Sequence, residues 1–218
     1  MAEPFVIDAG DALVVIDVQN DFLPGGALAV TDGDAILPDV NRLARAFENV
    51  VVTQDWHPRG HASFASSHAG SKPFDVMELP YGNQVLWPDH CVQGSPGARL
   101  HPELDVDRAF AILRKGANPM IDSYSAFAEA DGLTTGLAAL LRARGIERVF
   151  VCGLATDFCV AWSALDARAA GFETFVIEDA CRAIDADGSL AAAWSRMTAA
   201  GVRRIKAEEV RGRMANGG

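Results

Sequence analysis

Short runs of β-branched and aliphatic residues alternate along this chain with longer stretches of helical period, and that alternation leaves few folds open. Ala12–Val18 (ALVVIDV) is apolar on successive residues and reads as a strand buried on both faces. Asp34–Ala46 places Ile36, Leu37, Val40, Leu43 and Ala44, with Phe47 just beyond, on one helical face. Val50–Thr53, Ala109–Leu113, Arg148–Cys152, Glu173–Ile177 and Val202–Ile205 repeat the strand signal. Leu133–Arg144, Phe158–Ala170 and Ser189–Ala200 repeat the helical one, and Gly145, Gly171 and Gly201 stand where helices stop. Strands alternating with helices predict an α/β three-layer sandwich, a mainly parallel sheet with helices on both faces and right-handed crossovers.

One region breaks the rhythm. From Gln54 to about Asp107 no period is sustained, prolines and glycines are frequent, and all five histidines (His57, His61, His68, His90, His101) fall inside it. Long irregular stretches within a compact unit are usually functional. The expectation is a single domain over 1–218 with a loop excursion at about 54–108. The tail Asn216-Gly217-Gly218 is expected to fray.

Composition narrows the partners. With 19 basic and 29 acidic residues the net charge is −10, which disfavours nucleic acid and anionic membrane as partners. No run approaches the length of a membrane span, and Met1-Ala2-Glu3-Pro4 does not start like a signal peptide. Cys91, Cys152, Cys159 and Cys181 show neither CxxC nor disulfide-framework spacing, so reduced thiols in a cytoplasm are expected.

Ligands of open parallel sheets bind beyond the carboxyl ends of the strands. The sequence puts Asp17, Asp55-Trp56-His57, Lys115-Gly116 and Gly153-Leu154-Ala155-Thr156-Asp157-Phe158-Cys159 at such ends. Cys159, just after a strand and in the first turn of a helix, suits a nucleophile whose thiolate and oxyanion would meet helix N–H groups. The alternative is a structural cysteine, which Cys152 and Cys181 fit better. Asp17 at the end of an apolar run is a base for that thiol or a paired carboxylate. Lys115 by itself reads as a strand-end lysine reaching solvent. Asp55, His57 and His90 offer the oxygen and nitrogen donors of a zinc, iron or manganese site. His68 and His101 read as surface residues, and Asp21 as a turn residue. Phe22 and Trp87 are either core or the walls of a slot for a flat ring.

The segments IDVQNDF (16–22), QDWHPRGHASF (54–64), LWPDHCVQGSPGA (86–98), RKGA (114–117) and CGLATDFCV (152–160) together resemble the nicotinamidases, also called pyrazinamidases, among the isochorismatase-like cysteine hydrolases. The resemblance runs from Ala12 to about Ile177. It implies a six-stranded sheet of order 3-2-1-4-5-6 and a cis peptide at Leu154–Ala155. It implies Asp17, Lys115 and Cys159 as the catalytic set, with backbone N–H groups of Ala155 and Cys159 as oxyanion hole. It further implies one divalent metal ion on Asp55, His57 and His90 and no organic cofactor, with His61 or a water held near Ser63 completing the metal's shell. The implied activity is hydrolysis of nicotinamide to nicotinate and ammonia through a thioester, within NAD salvage, with Phe22 and Trp87 around the ring. A homo-oligomer is compatible with the family. Amidases acting on N-carbamoyl compounds are the nearest rival and lack the metal triad. True isochorismatases lack a nucleophile like Cys159. A catalytically dead relative would not need Asp17, Lys115 and Cys159 together; a thiol redox sensor using Cys159 is a further alternative.

Overall fold

The computed structural model describes residues 4–212; the expectations for the first three residues and the C-terminal tail lie outside them. In chain order the elements are β1 (Phe5–Val6), β2 (Asp11–Ile16), α1 (Leu37–Ala46), β3 (Asn49–Asp55), β4 (Val76–Leu79), β5 (Gly82–Val85), β6 (Ala109–Lys115), α2 (Leu137–Ala143), β7 (Arg148–Leu154), α3 (Ala161–Ala169), β8 (Glu173–Arg182), α4 (Ser189–Ala199), β9 (Arg203–Ile205) and β10 (Val210–Arg211). The main sheet has six strands in the order β6-β3-β2-β7-β8-β9, every neighbour parallel. Numbered by their own succession, these strands follow 3-2-1-4-5-6.

β2 lies at the centre, and all six of its residues are buried. This is what a strand covered by helices on both faces requires, and it explains an apolar run without alternation. β3, likewise buried throughout, and β7, buried after its first residue, flank it. Phe150 of β7 and Phe175 of β8 stack with ring centroids 4.6 Å apart at the middle of the core. The sheet's outer strand β6 is only partly covered until its last residue, Lys115.

Boundaries differ from the sequence pattern in four places. β8 runs on to Arg182, because after a register shift Cys181 and Arg182 pair again with Gly153 and Leu154. The third helix is preceded by a π-helical turn, Thr156–Val160. α2 starts at Leu137 rather than Leu133, because Thr134 and Thr135 hydrogen-bond back to Phe127 and Ala126 instead of continuing the helix. The irregular excursion contains an antiparallel hairpin, β4–β5, that no periodicity announced. No helix among the described residues is long and apolar enough to cross a membrane.

Candidate active site

β2, β3, β6 and β7 are neighbours, so their carboxyl ends deliver their terminal residues to one edge. Asp55 and Lys115, the last residues of β3 and β6, are register partners. Asp17 follows β2 directly with φ +48°, a left-handed turn that aspartate tolerates better than most residues. Cys159 sits in the π turn after β7; such turns recur at functional sites. The Leu154–Ala155 peptide bond is cis. β2 and β7 mark the point where the strand succession reverses, the usual crevice of an open parallel sheet.

Lys115 is the hub. It does not reach solvent: it is 1% exposed. Its Nζ lies 2.7 Å from Asp55 Oδ1, 2.9 Å from Asp17 Oδ2, 2.9 Å from the Ser123 carbonyl and 3.4 Å from Cys159 Sγ. Burial opposes its charge, but Asp17, Asp55 and Cys159 outweigh it and hold the ammonium well above its ordinary pKa. A permanently charged ammonium thus ties the thiol to both carboxylates.

Thr53 donates its hydroxyl to Asp17 Oδ1 at 2.6 Å and accepts the Asp17 N–H at 3.1 Å. Among the described residues Asp17 Oδ2 has its ion pair with Lys115 but no hydrogen-bond donor of good geometry. That oxygen is held by the Lys115 ammonium, which also reaches Cys159 Sγ. Burial raises the Asp17 pKa, Lys115 opposes this and Asp55 adds to it, with a net upward result. The Cys159 thiol is raised well above its ordinary value. Burial is the main cause, Lys115 pulls it down, and Asp17, Asp55 and Asp122 push it up. The helix start was expected to favour a thiolate. Burial among carboxylates works against that tendency, and Lys115 works with it.

The second cluster shares Asp55. Its Oδ2 lies 3.2 Å from His57 Nε2 and 3.6 Å from His90 Nε2. The Nδ1 atoms of these rings face backbone carbonyls, Gly116 at 2.9 Å and Pro88 at 2.8 Å. Donating there fixes the tautomer and leaves both Nε2 lone pairs directed at the carboxylate. Two lone pairs and an anion converging on one point call for a cation between them, and one ligand atom from each residue falls within 4.8 Å of the others. The donor set therefore fits a divalent ion. Gln19 clamps the main chain here, accepting the Asp55 N–H at 2.7 Å and donating to the Asp55 carbonyl at 2.8 Å.

His61 is buried, its ring tilted beside that of His57 with centroids 4.3 Å apart. Its ring nitrogens face Ser63 Oγ at 2.8 Å and the Ile121 carbonyl at 3.2 Å, and it stands outside the Asp55–His57–His90 group. His68 and His101 are half-buried and outside it too. Asp21 is indeed a turn residue: its carboxylate accepts the N–H groups of Ala27 and Cys91.

Between the two clusters opens a narrow, mostly apolar pocket. Cys159, Asp55, His90 and Ala155 line it together with the aromatic side chains of Phe22, Trp87, Tyr124 and Phe158. Phe158 meets Trp87 edge-on at 4.8 Å. An apolar slot lined by a thiol and a cation-seeking cluster suits a flat heteroaromatic ring bearing an acyl group. The sequence reading missed Thr53, Asp122, Ser123, Tyr124 and Phe158. Phe158 adjoins Cys159 and could have been noticed. Asp122 to Tyr124 lie in a segment without period, where nothing marks a pocket wall.

Comparison with known proteins agrees with this geometry. The isochorismatase domain model matches residues 11–209. A nicotinamidase of Acinetobacter baylyi is 58% identical over 200 residues, covering 91% of this chain and 94% of the relative. The structure of PnC1 from L. infantum in complex with nicotinate superposes with a TM-score of 0.85 at 41% identity, covering 96% of this chain and 100% of that one. The pyrazinamidase of Pyrococcus horikoshii in complex with zinc gives 0.74 at 37% identity, covering 90% and 99%. A domain model spanning nearly the whole chain, and a relative this similar along both lengths, make the chain a member of the isochorismatase-domain family, in its nicotinamidase group.

Proposed function

We propose that this chain hydrolyses nicotinamide to nicotinate and ammonia, and pyrazinamide by the same route, through a thioester on Cys159. The observation that carries the proposal is the placement of Lys115, whose ammonium touches Asp17, Cys159 and Asp55 at once and so joins a thiol–carboxylate pair to a cation-binding triad. The nicotinate complex of the L. infantum relative supports the acid as product, and the zinc complex of the P. horikoshii relative supports a divalent ion.

The Asp17 carboxylate takes the thiol proton of Cys159, and Lys115 stabilises the thiolate as it forms. The sulfur attacks the amide carbonyl carbon and forms the C–S bond. Backbone N–H groups of Ala155 and Cys159 receive the oxyanion, at roughly 3 kcal/mol each. Asp17 returns its proton to the nitrogen, the C–N bond breaks and ammonia leaves. Water then attacks the thioester, Asp17 accepts its proton, and the thiolate departs from nicotinate.

A divalent ion held by Asp55, His57 and His90 would supply a docking point for the pyridine nitrogen. Phe22 and Trp87 hold the ring flat, so that the carboxamide faces Cys159. The excursion at 54–108 serves the one domain by supplying His57, His90 and Trp87. The four cysteines are free, which suits a reducing cytoplasm where nicotinate re-enters NAD salvage.

The test is ammonia release from nicotinamide, before and after chelation and after zinc is restored. Turnover is expected, lost to the chelator and regained with zinc. Benzamide, without the ring nitrogen, is expected to react far more slowly. Absence of ammonia overturns the reading; benzamide turnover equal to that of nicotinamide removes the docking role.

A further inference from the structure

The β4–β5 hairpin sends one fully buried polar side chain into the body of the molecule, beside the partly buried Val85. Of its strand residues only Gln84 is buried, 2% exposed, while the rest are half-buried or exposed. Burying a primary amide costs free energy unless its hydrogen bonds are made, and here they are. Gln84 Nε2 lies 2.7 Å from Asp122 Oδ2, 3.0 Å from the Tyr124 hydroxyl and 2.7 Å from the Val85 carbonyl. Its Oε1 accepts the Tyr81 hydroxyl at 3.2 Å. A carboxylate only accepts, so Asp122 fixes which way the amide points.

The partners of Gln84 are walls of the catalytic cavity. Asp122 and Tyr124 both line it. The Tyr124 oxygen also accepts the indole N–H of Trp87 at 3.0 Å. That one phenol oxygen therefore links Gln84 to the aromatic side against which the ring would lie. Tyr124 also lines a second pocket, with Gln84, Tyr81, Trp162 and Asp166. Tyr124 is thus the residue the two pockets share, and Gln84 bonds it from the second one.

We propose that Gln84 is a positioning residue for substrate, fixing Tyr124 and through it Trp87 at the width that the ring requires. It touches no reacting atom, so its effect falls on binding rather than on the chemical step. The proposal rests on the reading that this cavity takes nicotinamide. The competing role is that of a mere anchor for the hairpin, which shape alone would satisfy.

Gln84→Met keeps length and near-identical shape but removes both donors. In steady-state ammonia release, KM for nicotinamide is expected to rise about tenfold while kcat stays within about threefold. In a Tyr124→Phe background, which lacks the shared oxygen, the same change is expected to move KM by less than about twofold. If Gln84→Met does not fold, Gln84→Asn, which keeps the amide but withdraws it by one methylene, carries the same expectation. An unchanged KM in a folded variant, a kcat loss with KM held, or an equal KM rise in both backgrounds overturns the proposal. Failure of the unsubstituted protein to release ammonia from nicotinamide would instead sink the functional reading on which it rests.

Discussion

Lys115 has three protons to give and four acceptors within reach, two of them carboxylate oxygens. Removing one member of such a buried set costs about 3–5 kcal/mol, because the remaining charges lose their compensation. Cys159 supplies the sulfur of the proposed nucleophile, so its loss is felt in chemistry. Cys159→Ala is expected to lower nicotinamide turnover by roughly 10⁴-fold or more, while the protein binds zinc as before. Ammonia release and metal analysis on the same sample check both halves. Retained activity would remove Cys159 from the reaction; lost metal would mean that the two clusters are not independent.

At the scale of the element, the end of β6 serves both clusters within two residues. Lys115 closes the strand and contacts the catalytic pair, and Gly116 turns with φ +65° and offers its carbonyl to His57. A Cβ at Gly116 would stand 2.5 Å from His57 Cε1, and the positive φ would be strained for any L side chain. Gly116→Ala is therefore expected to turn the imidazole away and to weaken metal retention by roughly 10–100-fold, the usual effect of disturbing an outer-shell partner. Competition with a chelator of known affinity measures this. Unaltered metal affinity would show that the loop absorbs the methyl group.

For the whole molecule, the triad is gathered from β3 and from the loop near residue 90, so a metal ion recognises the folded chain and not the unfolded one. At free ion about 100 times the dissociation constant, that linkage is worth about 2.7 kcal/mol. For a chain of this size each kcal/mol moves Tm by roughly 2–4 °C. Zinc is expected to raise Tm of the metal-depleted protein by roughly 5–10 °C, and Asp55→Ala to abolish the shift. Differential scanning calorimetry reads it directly; a shift that survives Asp55→Ala would place the ion elsewhere.

The amino-acid order alone determined the class of fold and the chemical inventory at one edge of the sheet. Unbroken apolar runs such as ALVVIDV mean strands covered on both faces, and a parallel sheet sends its strand ends to one side. Asp17, Asp55, Lys115 and Cys159 were therefore placed together before any coordinate, since each follows or ends such a run. Only the tertiary structure decided how they interact. Lys115 could as well have pointed to water; the register of Asp55 against Lys115, and the return of β7 beside β2, turned it inward. Tertiary packing also brought in Thr53, Asp122, Tyr124 and Gln84, and set the His61 ring tilted beside that of His57. Period and composition report which face of an element is buried. They carry no information about which distant polar groups meet there, because that depends on strand order and register summed over the whole chain.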